Sequence, residues 1–184
     1  MKKLISDAVN AYYGYNIEAY QQYLTQISEL IEQSACPETK KQLRGEYLLI
    51  RSLAYLNTPK ILCAYYEEVI SIGIKTNIFD ISKTFLLEWA YDDLIEYFGM
   101  PLNKADTVAD ELERAVKLHS YFSNSAQGTD LLYRAELAMR KHENEKALYF
   151  ASEAKKILPR ANTLAIDCAE RITKHAKKQL IGTV

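Results

Sequence analysis

The stretch that decides the fold is residues 131–159, LLYRAELAMRKHENEKALYFASEAKKILP. Small and apolar residues recur in it at helical spacing, and these are Leu131, Ala135, Ala147, Ala151, Ala154 and, at the end, Pro159. Small side chains at such positions let two helices approach closely, and a proline cannot continue a helix. The segment therefore predicts two antiparallel helices joined by a short turn at 141–144.

The same periodicity extends over nearly the whole chain. Apolar residues recur every three or four positions, and the two-residue alternation with Val, Ile and Thr that marks strands is missing. The sequence therefore predicts an all-α protein of about nine helices. We expect these helices at residues 3–13, 16–34, 38–56, 59–73, 80–98, 104–123, 129–141, 144–157 and 161–178.

Short links between consecutive helices predict antiparallel hairpins, and hairpins of this kind repeat along the chain. The spacing in 131–159 is typical of a tetratricopeptide-type repeat, and the other hairpins fit the same frame. We therefore predict one domain over residues 1–184, a right-handed stack of helical hairpins of the tetratricopeptide-like α-solenoid type. The expected hairpins are 3–34, 38–73, 80–123 and 129–157, followed by a capping helix at 161–178.

The composition is that of a globular chain with balanced charge. Of its 184 residues, 48% are hydrophobic and 26% are charged, which excludes disorder and low complexity. Twenty-three Lys and Arg against 24 Asp and Glu leave a formal charge of -1, so no global positive field exists to hold a nucleic acid. No apolar segment approaches the roughly 20 residues that span a bilayer. We expect no direct nucleic-acid contact and no membrane contact.

The cysteines indicate a reducing environment. Cys36, Cys63 and Cys168 are odd in number, lie far apart and form no C-x-x-C pair. That pattern argues against a disulfide framework and against a zinc site. We therefore expect a cytoplasmic location.

No catalytic set is evident in the sequence. His119, His142 and His175 lie on different predicted helices or turns without metal-ligand spacing, and each is expected at the surface or in a helix seam. The six glycines are scattered, so no phosphate-binding loop exists. Adjacent carboxylates such as Asp92 and Asp93 point about 100° apart on a helix and do not face each other. We expect a protein that is not an enzyme, with no cofactor and no metal.

In stacked hairpins, the first helix of each unit lines a concave surface that holds ligands. Helical geometry predicts which side chains line that groove: Arg44, Tyr47, Arg51, Tyr55, Glu88, Tyr91, Ile95, Thr129, Leu132, Glu136 and Arg140. This mixture of arginine, tyrosine and carboxylate would suit a polar peptide or a sugar-like ligand.

Two charged surfaces leave alternatives open. The predicted last helix carries Arg171, Lys174, Lys177 and Lys178 on one side. They form either a solvated face that complements a helix C-terminus or a junction with something acidic. The acidic stripe in 80–96 and the basic residues of 38–56 either neutralise each other across the stack or polarise the groove.

Three motifs carry a family resemblance. They are KKQLRGEYLLIRSLAYLN at 40–57, Ile78-Phe79-Asp80, and YRAE at 133–136 ahead of the Ala147/Ala154 hairpin. Over roughly residues 10–160 the chain resembles the helical-repeat region of LuxR-type, MalT-like transcriptional regulators. In that family an ATPase module and a helix-turn-helix domain flank a tetratricopeptide-like sensor region. The resemblance implies a sensor that receives small effectors or partner proteins.

Two functions follow as hypotheses. The first is a non-catalytic sensor or scaffold domain of such a regulator, whose concave groove binds a protein partner or a small effector. The alternative is a stand-alone tetratricopeptide-type adaptor for protein–protein assembly or oligomerisation, which would use its tyrosine-rich seams and the basic 171–178 face. Fourteen tyrosines are compatible with both, because the Tyr ring packs in seams while its hydroxyl stays hydrated. The sequence leaves open the ligand, the target genes, the oligomeric state, and whether the chain is an excised domain.

Overall fold

The computed structural model describes residues 2–76, 78, 94–98, 102–160 and 162–181. All regular structure in these ranges is helical and none of it is strand, which confirms the all-α prediction. Within the same ranges, no helix has both the length and the apolar character needed to cross a bilayer. The chain divides into two compact units, Met1–Glu88 and Trp89–Val184. The prediction of one domain over residues 1–184 stays a prediction.

In its described residues the first unit contains four helices close to the predicted bounds. They are α1 (Lys2–Tyr13), α2 (Ile17–Gln33), α3 (Pro37–Ser52) and α4 (Pro59–Ile72), with a 3₁₀ turn at Leu53–Tyr55 after α3. Helix α1 packs against α2 and also against α3, and α3 packs against α2 and α4. Neighbouring helices along the chain are therefore neighbours in space, and α1 and α3 also meet.

Local sequence signals explain where these helices begin and end. The Asn16 side chain accepts a hydrogen bond from the Ala19 backbone N–H at 3.1 Å, which caps the start of α2. Pro37 and Pro59 occupy the first positions of α3 and α4, where a missing N–H costs nothing. Gly73 ends α4 with φ +71°, a left-handed conformation that glycine adopts without strain.

The core of the first unit is formed by the residues that the hairpin frame places inside. Side chains at five of these positions, Ile50, Leu53, Leu62, Tyr66 and Val69, are fully buried. Gly45 is buried as well, because a side chain from beyond α4 fills the space beside it. A Cβ atom on Gly45 would lie 2.5 Å from Cδ1 and 2.8 Å from Cγ1 of Ile74. Any larger residue at position 45 must therefore displace Ile74.

The described part of the second unit contains one single-turn helix and four longer helices. They are α5 (Leu94–Tyr97), α6 (Ala105–His119), α7 (Thr129–Arg140), α8 (Asn144–Ile157) and α9 (Thr163–Ile181), with a 3₁₀ turn at Leu102–Lys104. Helix α7 is central, since it packs against α5, α6, α8 and α9. Most of the predicted helix 80–98 lies outside the described residues. The predicted helix 104–123 is shorter than expected and ends at His119.

Small residues hold α7, α8 and α9 together. The buried cluster between these helices consists of Ala135, Ala138, Ala147, Ala151, Cys168, Ile172 and Ala176, and we call it the alanine seam. Ala135 and Ala147, which the sequence predicted at a close helix contact, have no exposed surface. Methyl groups in place of longer side chains allow the helix backbones to approach closely.

His119 is fully buried, which excludes the surface and leaves the other predicted position, in a helix seam. Its Nδ1 lies 2.9 Å from the carbonyl oxygen of Ser123, which fits an Nδ1–H that donates to this carbonyl. Burial lowers the pKa of the imidazole from 6.5 to about 4, although this hydrogen bond acts in the opposite direction. The imidazole is therefore neutral in the folded protein at pH 7.

We expect this histidine to make stability depend on pH. The pKa of His119 is lower in the folded protein than in the unfolded chain. His119 therefore costs no stability above pH 6.5, and the free energy of unfolding falls as the pH drops from 6.5 towards 4. At pH 5 the loss is about 2 kcal/mol relative to pH 7. Urea unfolding at both pH values should show this loss for the wild type and not for His119→Gln. The exposed His142→Gln variant should keep the wild-type dependence, and identical pH profiles for all three proteins would contradict this explanation.

The contact between Gly45 and Ile74 gives a second test. Gly45→Val should lower the free energy of unfolding by about 1–3 kcal/mol, because the added atoms overlap Ile74. Lys41→Val, at an exposed position of the same helix, should change it by only about 0.5 kcal/mol. Combining Gly45→Val with Ile74→Ala should destabilise less than the sum of the two single changes. A Gly45→Val protein as stable as the wild type would show that the contact is not tight.

Candidate functional site

The predicted groove residues of the first unit are partly brought together. Arg51 lies between two tyrosine rings, with its guanidinium carbon 5.7 Å from the ring centroid of Tyr47 and 5.8 Å from that of Tyr65. Tyr55 stacks on Tyr65, with ring centroids 5.6 Å apart and planes inclined by 24°. All four side chains are half-buried. Tyr65, on α4, was not among the predicted residues.

The contacts of Arg51 with two tyrosine rings and the stacking of Tyr55 on Tyr65 hold this cluster together. A cation over a tyrosine ring contributes about 0.5–1 kcal/mol at an exposed site and more when water is excluded. Burial raises the pKa of Tyr65, and the positive charge of Arg51 partly offsets that increase. Arg44, two turns before Arg51 on the helix, forms an exposed ion pair with Glu68 at 3.1 Å. These interactions stabilise the contact between α3 and α4.

The predicted groove residues of the second unit do not share one surface. Glu88 and Tyr91 lie outside the described residues. The side chains of Ile95, Thr129 and Leu132 are buried in the core, so they do not line an open groove as predicted. They are buried because α7 has neighbours on several sides, which helical periodicity alone did not reveal.

Glu136 and Arg140, the remaining two predicted residues, line a cavity. It has a volume of about 360 Å³ and lies between α7 and α9. We call it the α7/α9 cavity, and its wall consists of Glu136, Met139, Arg140, Cys168, Arg171, Ile172 and His175. Arg140, Arg171 and His175 are exposed, whereas Glu136, Cys168 and Ile172 are buried. The cavity therefore has a basic rim and a mostly apolar interior with one carboxylate.

The carboxylate of Glu136 is anchored at both oxygens. Its Oε2 accepts a hydrogen bond from the backbone N–H of Leu94 at 2.6 Å, and its Oε1 lies 3.5 Å from the thiol Sγ of Cys168. Leu94 is the first described residue of α5. Glu136 therefore holds the backbone of α5 from a different helix, and it is only 8% exposed.

Cys168 is a neutral part of the cavity wall. Burial, followed by the negative charge of Glu136, raises the pKa of its thiol from 9.0 to about 12. The thiolate is the nucleophilic form of cysteine, so a thiol protonated at neutral pH does not act as a nucleophile. Cys168 contributes a polarisable apolar surface and a weak hydrogen-bond donor instead.

The arrangement of the cavity is suited to binding. Two guanidinium groups and an imidazole stand around an apolar interior, which resembles a ligand pocket with a few placed polar groups. Sequence reasoning identified Arg171 only as part of a basic face, and it did not assign Met139, Cys168, Ile172 or His175 to a binding site. The spacing of Arg171 and His175, four residues apart on the predicted last helix, was the available signal.

In the part of the chain that the structure describes, no group of three or more His, Cys, Asp or Glu side chains could hold a metal ion. The three cysteines, which include the exposed Cys36, are free thiols.

The anchoring role of Glu136 can be tested at one amide. Glu136→Ala should remove the only acceptor described here for the Leu94 N–H and destabilise the second unit by about 1–3 kcal/mol. Hydrogen exchange at the Leu94 amide should become faster in that variant and stay slow in Glu136→Gln, which keeps a carbonyl acceptor. Asp167→Ala, at an exposed position of α9, is the matched control and should leave this amide unchanged. Equal exchange rates in all four proteins would show that Glu136 does not hold the Leu94 amide.

Comparison with models of protein families, with curated proteins and with solved structures finds no match to this chain. The resemblance to LuxR-type regulators therefore remains a prediction from the sequence motifs. What the protein does has to be argued from the geometry of its units and of the α7/α9 cavity.

Proposed function

We propose that this chain is a non-catalytic recognition module, a right-handed stack of tetratricopeptide-like helical hairpins that binds an effector or a partner protein without changing it chemically. In this proposal α9 is the capping helix of the stack. Within the first unit the binding surface would be formed by the first helices α1 and α3, and within the second unit by the first helix α7 together with the capping helix α9.

Support for stacked hairpins comes from the contacts between alternate helices. Helix α1 packs against α3 as well as against α2, and α7 packs against α9 as well as against α8. In a stack of hairpins each unit contacts the next, so first helices are expected to meet in this way.

The single observation that carries the proposal is the α7/α9 cavity. It lies between α7, the first helix of its hairpin, and the capping helix α9, and it combines Glu136 and Arg140 with Arg171 and His175. An enzyme would need a nucleophile or an acid–base pair directed at a reacting atom. The protonated Cys168 thiol and the anchored Glu136 do not provide one.

The resemblance to LuxR-type, MalT-like regulators suggests where such a module would act. As a sensor region it would sit between an ATPase module and a DNA-binding domain, and ligand binding would bias both. The module itself would need no direct contact with nucleic acid and no cofactor. A cytoplasmic location belongs to the same proposal and agrees with the three free cysteines.

One observation favours the adaptor as a second candidate. Four large apolar side chains of α8 and α9 are exposed, namely Tyr149, Ile157, Leu164 and Ile181. Apolar side chains in this number can form a contact with another protein or with a second copy of the chain.

Light scattering over a hundredfold concentration range separates the two functions. A sensor should remain a monomer without ligand, whereas an assembly adaptor should self-associate.

The recognition function predicts that small molecules bind at the α7/α9 cavity and leave unchanged. A library of cationic, neutral and anionic fragments should contain members that shift the backbone NMR signals of Met139 and Ile172. The signals of Lys155 and Lys156, on α8 outside the cavity wall, provide the internal control. Bound fragments should be recovered intact after prolonged incubation. The proposal fails if no fragment shifts the cavity signals, or if the protein converts a bound fragment into product.

A further inference from the structure

We propose that the Arg51 cluster, formed by Arg51 with Tyr47, Tyr55 and Tyr65, is a binding site for an aromatic carboxylate, a group in which one carboxylate lies beside an aromatic ring. All four residues belong to the first unit. This inference rests on the proposed function, because it names the ligand class of the binding surface to which α3 contributes.

The guanidinium group of Arg51 has its hydrogen-bond donors available. It carries five N–H donors, and among the described residues it forms neither a hydrogen bond nor an ion pair. Its guanidinium carbon lies 5.7 Å from the ring centroid of Tyr47 and 5.8 Å from that of Tyr65. The side chain is half-buried, so it still has a side that solvent or a ligand can reach. The two oxygens of a carboxylate match two parallel N–H donors of a guanidinium group.

The charge at this cluster favours a ligand with one negative charge. Burial raises the pKa values of Tyr20 and Tyr65, and the positive charge of Arg51 acts against that rise in both. Glu68 also acts on the pKa of Tyr65, but its carboxylate is bound to Arg44 at 3.1 Å. One positive charge is therefore left without a partner among the described residues around Tyr65. A carboxylate balances it, whereas a phosphate monoester, with a charge of about -1.5 to -2, exceeds it.

The tyrosines provide the surface for the aromatic part of the ligand. Tyr47, Tyr55 and Tyr65 are half-buried, so each ring keeps some surface that a ligand can cover. Aromatic rings attract each other beyond the effect of the area that they bury, as in the stacked pair of Tyr55 and Tyr65. The hydroxyl groups of these three tyrosines form no hydrogen bond among the described residues. Each can therefore donate to a carboxylate oxygen.

The backbone that carries the cluster is fixed without a ligand. The hydroxyl of Tyr20, on α2, donates a hydrogen bond at 3.0 Å to the carbonyl oxygen of Ile50. Ile50 directly precedes Arg51 and is fully buried. Tyr65 lies on α4, which packs against α3. Three helices thus hold the site in place, and a preorganised site loses less affinity to the ordering of the protein.

The test uses the full chain at pH 7, in a buffer without carboxylate or phosphate, and follows the NMR signals of Arg51 and Tyr65. The probes are benzoate, its neutral analogue benzamide, and cyclohexanecarboxylate, which keeps the charge and lacks the aromatic ring. Benzoate should bind with a dissociation constant on the order of 1 mM, as expected for a ligand of about nine non-hydrogen atoms. Benzamide should bind at least about tenfold more weakly. Cyclohexanecarboxylate should bind about threefold more weakly.

Variants of the cluster locate the two parts of the ligand. Arg51→Gln should weaken benzoate binding at least about tenfold, and Arg51→Lys should give an intermediate affinity because it keeps the charge and loses the planar geometry. Tyr65→Leu should weaken benzoate about threefold and leave cyclohexanecarboxylate within about twofold of the wild type. Lys41→Gln, at an exposed position of α3, is the matched control and should bind benzoate within about twofold of the wild type. Circular dichroism should confirm that each variant remains folded.

A short peptide that ends in phenylalanine separates two sources of the same chemistry. Its free C-terminus places a carboxylate beside an aromatic ring, and amidation removes the charge. Tighter binding of the free peptide than of benzoate supports the C-terminus of a partner protein as the source. Tighter binding of benzoate supports a free acid. Equal affinity for the free and the amidated peptide contradicts a carboxylate site.

Equal affinity for benzoate and benzamide would overturn the inference, and so would full affinity for benzoate in Arg51→Gln. Tighter binding of phenyl phosphate than of benzoate would also overturn it. If fragments shift the cavity signals of Met139 and Ile172 while benzoate leaves those of Arg51 and Tyr65 unchanged, the inference fails and the proposed function stands. If benzoate binds at Arg51 and is converted into a product, the non-catalytic function fails and the carboxylate site stands. If no compound shifts either set of signals, both fail.

Discussion

The close contact of α7, α8 and α9 through the alanine seam is the constraint on which the rest of the second unit depends. Seven small or compact residues form it, and five of them are alanines. Because α9 can lie directly against α7, side chains from the edges of both helices meet across one cavity. Larger residues in the seam would separate these helices and leave Arg140 and Arg171 on unrelated surfaces.

The electrostatics of the cavity follow from that contact. Glu136 is buried because α9 and α5 cover it, and burial is acceptable for a carboxylate only when its oxygens have hydrogen-bond donors. The Leu94 N–H and the Cys168 thiol supply them. The same burial keeps Cys168 protonated, so the anchored carboxylate and the unreactive thiol have one physical origin. A close contact in the first unit also depends on a small residue, because Gly45 allows Ile74 to approach α3.

Much of the fold could be predicted from the sequence, because helical periodicity and turn residues are local signals. The alanine spacing identified the hairpin of α7 and α8, and Pro59 marked the start of α4. The candidate site was predicted only in part. Periodicity assigns a residue to a face of its helix, but it does not say which other helices cover that face. Leu132 and Ile95 were therefore expected in a groove and lie in the core, and the contributions of Tyr65 and His175 were missed.

The central claim is that α9 packs on α7 and α8 through the alanine seam, and methyl–methyl nuclear Overhauser effects measure this directly. With alanine and isoleucine methyl groups labelled, cross-peaks should connect Ala135 and Ala138 of α7 and Ala147 and Ala151 of α8 with Ile172 and Ala176 of α9. Cross-peaks that join only α7 and α8, with none to α9, would contradict the account. In that case the cavity, and every function argued from it, would have no structural basis.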